Sequence, residues 1–545
     1  MAMKLAIVLA LAACATSHPV RFANAPAVTI VDDRLDVPAK PATREFEPDL
    51  YNFDATFVKP IERAFSFDRH HLAEGVNALD EVPDSTWFTN RIGTRELTPD
   101  EIRRGPLVHD SPELHKPWTI TSTKIGGTSL GLIVKDTTGA KYLIKFDMKG
   151  FPELETACDV IVDRILWAFG YNVPEDQIVA FQPNELILPA DAKVAGSKKT
   201  FTRAELDRDL AAVEHMPDGR IRALASRWLD GKPLGGHPAE GTRDDDPNDR
   251  IRHERRRDLR GGASVFAWLD HLDIKEANFL DMWTADPADP QRHYVVHYLV
   301  DFGRSLGAGA MFGSDLRAGY SYVIDFRDIS TSLFTLGLHD RRWEHRHAPK
   351  LRGIGLFEAA TYDPALWKPA YPAYTPLLTS DRFDQLWAAR KLIAFTREQL
   401  HAAVEAGALS DPRAVEYLTD VLVERQRVTA RYAFSRAAPL DHFVAAAASL
   451  AFDDLAIMSE LADGATTRYR ITPYDRDGLQ RAHPVELRPD ANGHVAYPLV
   501  VAGDADGYTI LQIETLRPDY EQATEVHVAR DPATHAPRVI GIRRR

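Results

Sequence analysis

Cysteine is nearly absent from this chain, with two residues, Cys14 and Cys158, in 545. A disulfide framework is therefore not what holds it together. No apolar run approaches the roughly 20 residues that a membrane-spanning helix needs. Positive charge is in deficit, 66 Lys and Arg against 79 Asp and Glu, and the net charge of −13 argues against a nucleic-acid-binding surface. The basic run at residues 250–260 carries Glu254 and Asp258 within it and Asp249 before it, so it reads as a solvated helix face. No internal repeat or low-complexity tract stands out. What is present is a globular composition, 44% hydrophobic and 27% charged, in a chain long enough for two or three domains.

The N-terminus reads as a targeting segment. Met1-Ala2-Met3-Lys4 is a short positive start, residues 5–13 are apolar, and Leu11-Ala12-Ala13-Cys14 matches the bacterial lipobox. The expectation is a cleaved signal over residues 1–13 and lipidation of Cys14, anchoring the chain to a membrane of the bacterial cell envelope. Ala15 stands where an aspartate would favour inner-membrane retention, which leans toward the outer membrane. With Cys14 acylated, Cys158 has no intramolecular partner and reads as a buried core thiol.

The densest chemistry lies at His271-Leu272-Asp273-Ile274-Lys275-Glu276-Ala277-Asn278, followed by Asp301-Phe302-Gly303. Phosphoryl transfer needs positioning and charge neutralisation more than covalent help. In that chemistry Asp273 takes or orients the hydroxyl proton of an acceptor and Lys275 sits against the transferring oxygens. Asn278 and Asp301 offer the hard oxygen ligands that Mg²⁺ prefers. Between them, residues 279–283 and 293–300 read as strands around a Pro- and Asp-rich turn at 284–291, a hairpin that returns Asn278 and Asp301 to the same end.

Upstream, residues 118–124 alternate as a strand, Gly126-Gly127-Thr128-Ser129-Leu130-Gly131 interrupts, and residues 132–134 and 142–146 continue as strands. Gly126, Gly127, Ser129 and Gly131 would let backbone amides approach a phosphate, and Lys145 on the neighbouring strand would supply a point charge. A helix over residues 152–170 follows, with Glu155 or Glu153 as partner of Lys145. The loop also fits G-x-S-x-G, the nucleophile elbow of α/β-hydrolases, but an elbow passes from strand into helix and here strand follows.

These motifs resemble the protein-kinase-like superfamily, nearer its atypical HipA-type and CotH-type branches than ordinary protein kinases. The resemblance covers residues 115–435 and rests on Lys145, Asp273, Asn278 and Asp301. It departs where the glycine loop is not G-x-G-x-x-G, where Leu272 stands for the usual arginine, and where no Ala-Pro-Glu follows Gly303. It implies an α+β, bilobal protein-kinase-like fold with a β-rich N-lobe (115–229) and a helical C-lobe (230–436), hinged near residues 230–235. ATP or another nucleoside triphosphate with Mg²⁺ would be used to phosphorylate a protein or small-molecule hydroxyl. Residues 14–114 read as a tether and extension, and 437–545, with short alternating runs between Asp, Gly and Pro turns, as a small all-β domain. A non-catalytic envelope binding protein and a nucleotidyl transferase are the alternative readings.

Overall fold

The computed structural model describes residues 20–65, 71–124, 130–311, 316–518 and 520–545. The signal, Cys14, and the loop residues Gly126, Gly127 and Ser129 lie outside the described residues. The chain is a mixed α+β protein and divides into two compact units, one of residues 29–75 and 82–433, the other of residues 20–28, 76–81 and 434–545.

In the larger unit, β1 (Trp118–Thr123), β2 (Gly131–Lys135), β3 (Lys141–Phe146), β4 (Asp176–Phe181), β5 (Leu186–Ile187) and β6 (Ile221–Arg227) form a curled sheet, a half-barrel in the order β4-β6-β3-β2-β1-β5. Strand periodicity sorts β3 by face. Tyr142, Ile144 and Phe146 enter a core with Trp118, Val134 and Phe181, so Leu143 and Lys145 point to the other side.

One residue beyond β3, Asp147 fixes where the next helix, α1 (Leu154–Phe169), begins. Glu153 precedes α1 with φ +66° and its carboxylate is taken by Arg352 and the Ser410 amide, so it does not cap the helix. Asp147 does so instead: it accepts from the amides of Glu153, Glu155 and Thr156 at 3.0–3.1 Å and from Thr156 Oγ1 at 2.7 Å. The free N–H groups of a helix start are thereby satisfied by the strand that carries Lys145.

A second sheet, of β7 (Lys232–Pro233), β8 (Phe279–Asp286) and β9 (Asp289–Leu299), contains the expected hairpin, with a turn tighter than residues 284–291 suggested. Phe279 pairs with Leu299, and Val300 N donates to Asn278 O at 3.0 Å, which brings Asn278 and Asp301 to one end.

Helices α2 (Gly262–Leu269), α3 (Arg382–Leu392), α4 (Arg397–Ala406) and α5 (Pro412–Phe434) follow. The pattern over 381–408 is two helices, because Thr396 and Gln399 form a capping box that starts α4 afresh. Gly261 lets α2 approach α3 closely, since a Cβ there would meet the Trp387 ring at 2.5 Å. The basic run at 250–260 is solvated only in its first half, where Arg250 and Arg252 are exposed; in its second half Arg260 bonds Asp384 at 2.7 Å and Asp381 at 3.1 Å, Arg257 lies 2.9 Å from Asp384, and Arg256 pairs with Asp258, all with little exposure. Mixed-sign charge here marks a buried ionic network, which charge spacing alone does not distinguish from a surface one.

The smaller unit packs two sheets, one of β10 (Leu440–Ala446), β11 (Ser449–Asp454) and β14 (His494–Pro498), the other of β13 (Val485–Leu487), β12 (Arg468–Asp475), β15 (Thr509–Arg517), β16 (Tyr520–Arg530) and β17 (Pro537–Arg544) in that order, on a shared core that includes Leu440, Phe452, Tyr469, Leu511 and Val526. Part of the stretch expected as tether and extension belongs to this unit. Ala78 O accepts from Ile542 N at 2.8 Å, Asp80 pairs with Arg544 at 3.0 Å, and the Phe22 ring packs edge-on against His527.

Replacing Asp147 with Ala leaves three amides and a hydroxyl of a buried helix start without an acceptor. The expected loss, read from urea unfolding, is about 2–4 kcal/mol. A change below about 0.5 kcal/mol would contradict this role for Asp147.

Candidate functional site

Of the residues singled out by sequence, Lys145, Glu155, Asp273, Lys275 and Asp301 line one cleft. Lys145 Nζ lies 3.0 Å from Asp159 Oδ2 on α1 and 2.7 Å from Asp301 Oδ1 beyond β9. Burial pulls the Lys145 ammonium down, but Asp159 and Asp301 outweigh it and hold the group well above its ordinary pKa. Lys145 in turn holds the Asp301 carboxyl well below the usual carboxylate range, against its burial. The Asp301 side chain keeps 41% of its surface open to the cleft.

Asp159 replaces Glu155 as the helix partner of Lys145, a correction to the sequence expectation. Glu155 stands one turn earlier, in the first turn of α1, and lines the neighbouring recess with Asp273 and Asp301. A partial signal for Asp159 was present, as it and Asp163 are acids flanking the apolar Val160-Ile161-Val162 of α1, and both are fully buried. Buried charges in such a helix need partners.

Asp159 also locks the segment after β9. Its Oδ1 accepts from Phe302 N at 2.6 Å, and Cys158 Sγ, buried as expected, contacts Phe302 O at 3.3 Å. Asp301 has φ +68°, a left-handed conformation that costs a non-glycine residue about 1–2 kcal/mol. The hydrogen bonds on either side hold it there. Gly303 passes so close to α1 that a Cβ would reach Glu155 Cγ at 2.7 Å. Ser305 Oγ bonds His271 Nδ1 at 2.8 Å, tying this segment to the start of the loop that carries Asp273.

In that loop Lys275 Nζ bonds both carboxylate oxygens of Asp273, at 2.9 and 2.7 Å. Asn278 Nδ2 donates to Asp273 O at 2.6 Å, which fixes the amide and leaves its oxygen as the group able to take a cation. The Asn278 amide oxygen and the Asp301 carboxylate are hard oxygen donors of the kind Mg²⁺ takes, and Asp301 lines the recess.

Lys124 is a cation that the motif reading missed. It lies just beyond β1, with its amide donating to Gly131 O at 2.8 Å, and it lines the same cleft as Lys145 and Asp301. Burial and the nearby Lys145 lower its pKa. Gly131 permits this placement, because a Cβ there would fall 2.9 Å from the Lys124 side chain.

The cleft has two recesses. One is largely apolar, walled by Leu143, Leu280, Met282 and Val300, with Trp228 and Leu229 at its edge and Lys145 and Asp301 at its inner end. The other, more polar, holds Asp273, Lys275, Glu155 and Arg304 and is rimmed by Pro48, Asn52, Val323 and Tyr371. At the back of the apolar recess Asp176 is 2% exposed, opposite Ser226 on β6. Its Oδ1 has no hydrogen-bond partner among the described residues, and burial, then the Asp159 charge, push its pKa up to about 7.

Behind β8 and β9, His237, Asp281 and His297 bring three ligand-type atoms within 4.8 Å. Both Asp281 carboxylate oxygens are already engaged, Oδ1 by His297 Nδ1 at 2.7 Å and Oδ2 by Arg243 at 3.2 Å. Trp87 stacks on His297 at 3.5 Å between ring centroids. The cluster is a buried hydrogen-bonded network supporting the hairpin.

Compared with protein-family models and with curated proteins, the chain matches none.

Asp176 gives a pH test. A carboxyl raised to about 7 binds a proton in the folded chain that the unfolded chain, with its ordinary value of 3.8, has released. Stability therefore falls as pH rises between these values. Asp176→Asn should flatten that fall in urea unfolding midpoints, whereas unchanged pH dependence would contradict the assignment.

Proposed function

We propose that this chain is a kinase-like phosphotransferase that moves a phosphoryl group from a Mg²⁺-bound nucleoside triphosphate to a hydroxyl acceptor, and that it works as a lipid-anchored protein of the bacterial envelope. The observation that carries this reading is the convergence of Lys145, Asp159 and Asp301, from a strand, a helix and the segment after a hairpin, at 2.7–3.0 Å beside Asp273 and Asn278. A curled sheet above the cleft and a mainly helical part beyond the β8–β9 hairpin are the halves that a bilobal kinase-like arrangement requires.

The chemistry follows from the two recesses. The apolar one accepts a nucleobase between Leu143 and Leu280, with the phosphates leading toward Lys145 and Lys124. These lysines give the phosphate oxygens two positive charges, and Lys145 is held in place by the carboxylates on either side of it. Asn278 and Asp301 would hold Mg²⁺, which supplies charge neutralisation on the phosphate oxygens when bound. The polar recess admits the acceptor. Its hydroxyl oxygen attacks the terminal phosphorus as the bond from phosphorus to the bridging oxygen breaks, and its proton passes to Asp273. Lys275, bonded to both Asp273 oxygens, orients the carboxylate and balances charge near the entering oxygen.

Thermal-shift titration separates binding from transfer. The wild-type chain should be stabilised by nucleoside triphosphate with Mg²⁺. Asp301→Ala should abolish that shift. Asp273→Ala should retain it while transfer falls by about 10²-fold or more. Asp159→Asn should weaken nucleotide binding more than Glu155→Gln does. Absence of any magnesium-dependent shift in the wild type would remove the basis of this reading.

A further inference from the structure

The apolar recess carries a polar pair that phosphoryl transfer does not use. Asp176 on β4 pairs in register with Ser226 on β6, and Ser226 with Leu143 on β3, so the three side chains form one row on the cleft side of the curled sheet. Asp176 is 2% exposed, and the Ser226 hydroxyl bonds its carboxyl. Its Oδ1 has no partner among the described residues. The nearby cations are directed elsewhere. Lys145 bonds Asp159 and Asp301, and Arg164 bonds the Asp163 carboxylate, the Asp176 carbonyl oxygen and Arg103 O. A buried carboxyl oxygen without a donor costs stability, and in the wall of a recess it is an acceptor that a ligand can satisfy.

We infer that Asp176 reads the nucleobase, its Oδ1 accepting a hydrogen bond from the exocyclic amino group of adenine while Ser226 fixes the carboxyl. This rests on the phosphotransferase reading, which puts a nucleotide in the recess, and adds which base the recess takes. The side chains of Leu143, Leu280, Met282 and Val300 pack on any base and offer none of them a hydrogen bond. Discrimination therefore needs a polar group placed among them. A site built to hydrogen-bond an N–H group rejects an analogue that lacks it, because the buried acceptor is then left unpaired. Asp176 meets that condition. A single unpartnered oxygen also favours adenine over guanine. Adenine presents one amino group beside a ring nitrogen that carries no hydrogen. Guanine presents two adjacent N–H groups, which call for both oxygens of a carboxylate, and here the Ser226 hydroxyl already engages the carboxyl. Guanine also carries a carbonyl oxygen where adenine has its amine, so that two acceptors would face each other.

The test compares ATP, GTP and purine riboside triphosphate, which is ATP without its 6-amino group, each with Mg²⁺, by calorimetric titration of the chain lacking residues 1–14. It is run at pH 8, above the Asp176 value of about 7, so that the carboxyl is an acceptor. Wild-type protein should bind ATP at least about tenfold tighter than either of the others. In Asp176→Leu the preference for ATP over purine riboside triphosphate should disappear. A ratio between two ligands on one protein does not move with a merely structural role, and the wild-type comparison holds even where the variant fails to fold. Equal binding of ATP and purine riboside triphosphate by the wild type would overturn the inference. So would GTP binding as tightly as ATP, or a folded Asp176→Leu chain that keeps the preference. A chain that binds all three alike contradicts this inference alone, whereas one that binds none contradicts the phosphotransferase reading and this inference with it.

Discussion

The Lys145 ammonium, buried between the carboxylates of Asp159 and Asp301, is the interaction on which the cleft depends. A lone ammonium with so little exposure would be costly, and a lone Asp159 at zero exposure equally so. Each makes the other tolerable. Because they come from β3, α1 and the segment after β9, satisfying the charges also sets the distance between three elements far apart in sequence. Asp147 adds a second fixed point by starting α1 on the strand that carries Lys145. The left-handed backbone at Asp301 is then held from both sides, and its carboxylate faces the open recess.

The same logic recurs behind the cleft. Arg257 and Arg260 meet Asp384, and Arg243 and His297 meet Asp281, all out of water. Such pairs add little net stability compared with well-packed apolar residues, yet breaking one partner is expensive. They therefore specify one arrangement of α2, α3 and the β8–β9 hairpin. That arrangement positions the loop with Asp273, Lys275 and Asn278. Within the cleft, Lys124 adds a cation and Asp176 a buried carboxyl that the motif residues alone do not provide.

Much of this was legible in sequence where local chemistry dictates structure. Alternation located β1 to β3, the sequence between Asn278 and Asp301 forecast a hairpin, and Pro412 opens α5 where the periodicity begins. Three-dimensional pairing was less legible. Glu155 and Asp159 lie on the same helix one turn apart, and the register that selects Asp159 is set by Asp147, which no spacing rule connects to Lys145. The run at 250–260 misleads for a related reason, since its partners Asp381 and Asp384 lie more than a hundred residues away. The extension expected over 14–114 likewise hides the pairing of Asp80 with Arg544, a contact between distant ends of the chain. Exposed apolar segments such as Phe326–Phe334 look like ordinary core helices until their burial is known.

The central claim is that this charged cleft transfers phosphate. The most direct measurement is incorporation of label from a γ-labelled nucleoside triphosphate by the chain lacking residues 1–14, with Mg²⁺ and an envelope extract as acceptor source. The account predicts magnesium-dependent labelling of a hydroxyl-bearing acceptor, lost on neutralising Asp273. Labelling that persists without Asp273, or a chain that binds nucleotide yet transfers nothing to any acceptor, would contradict it.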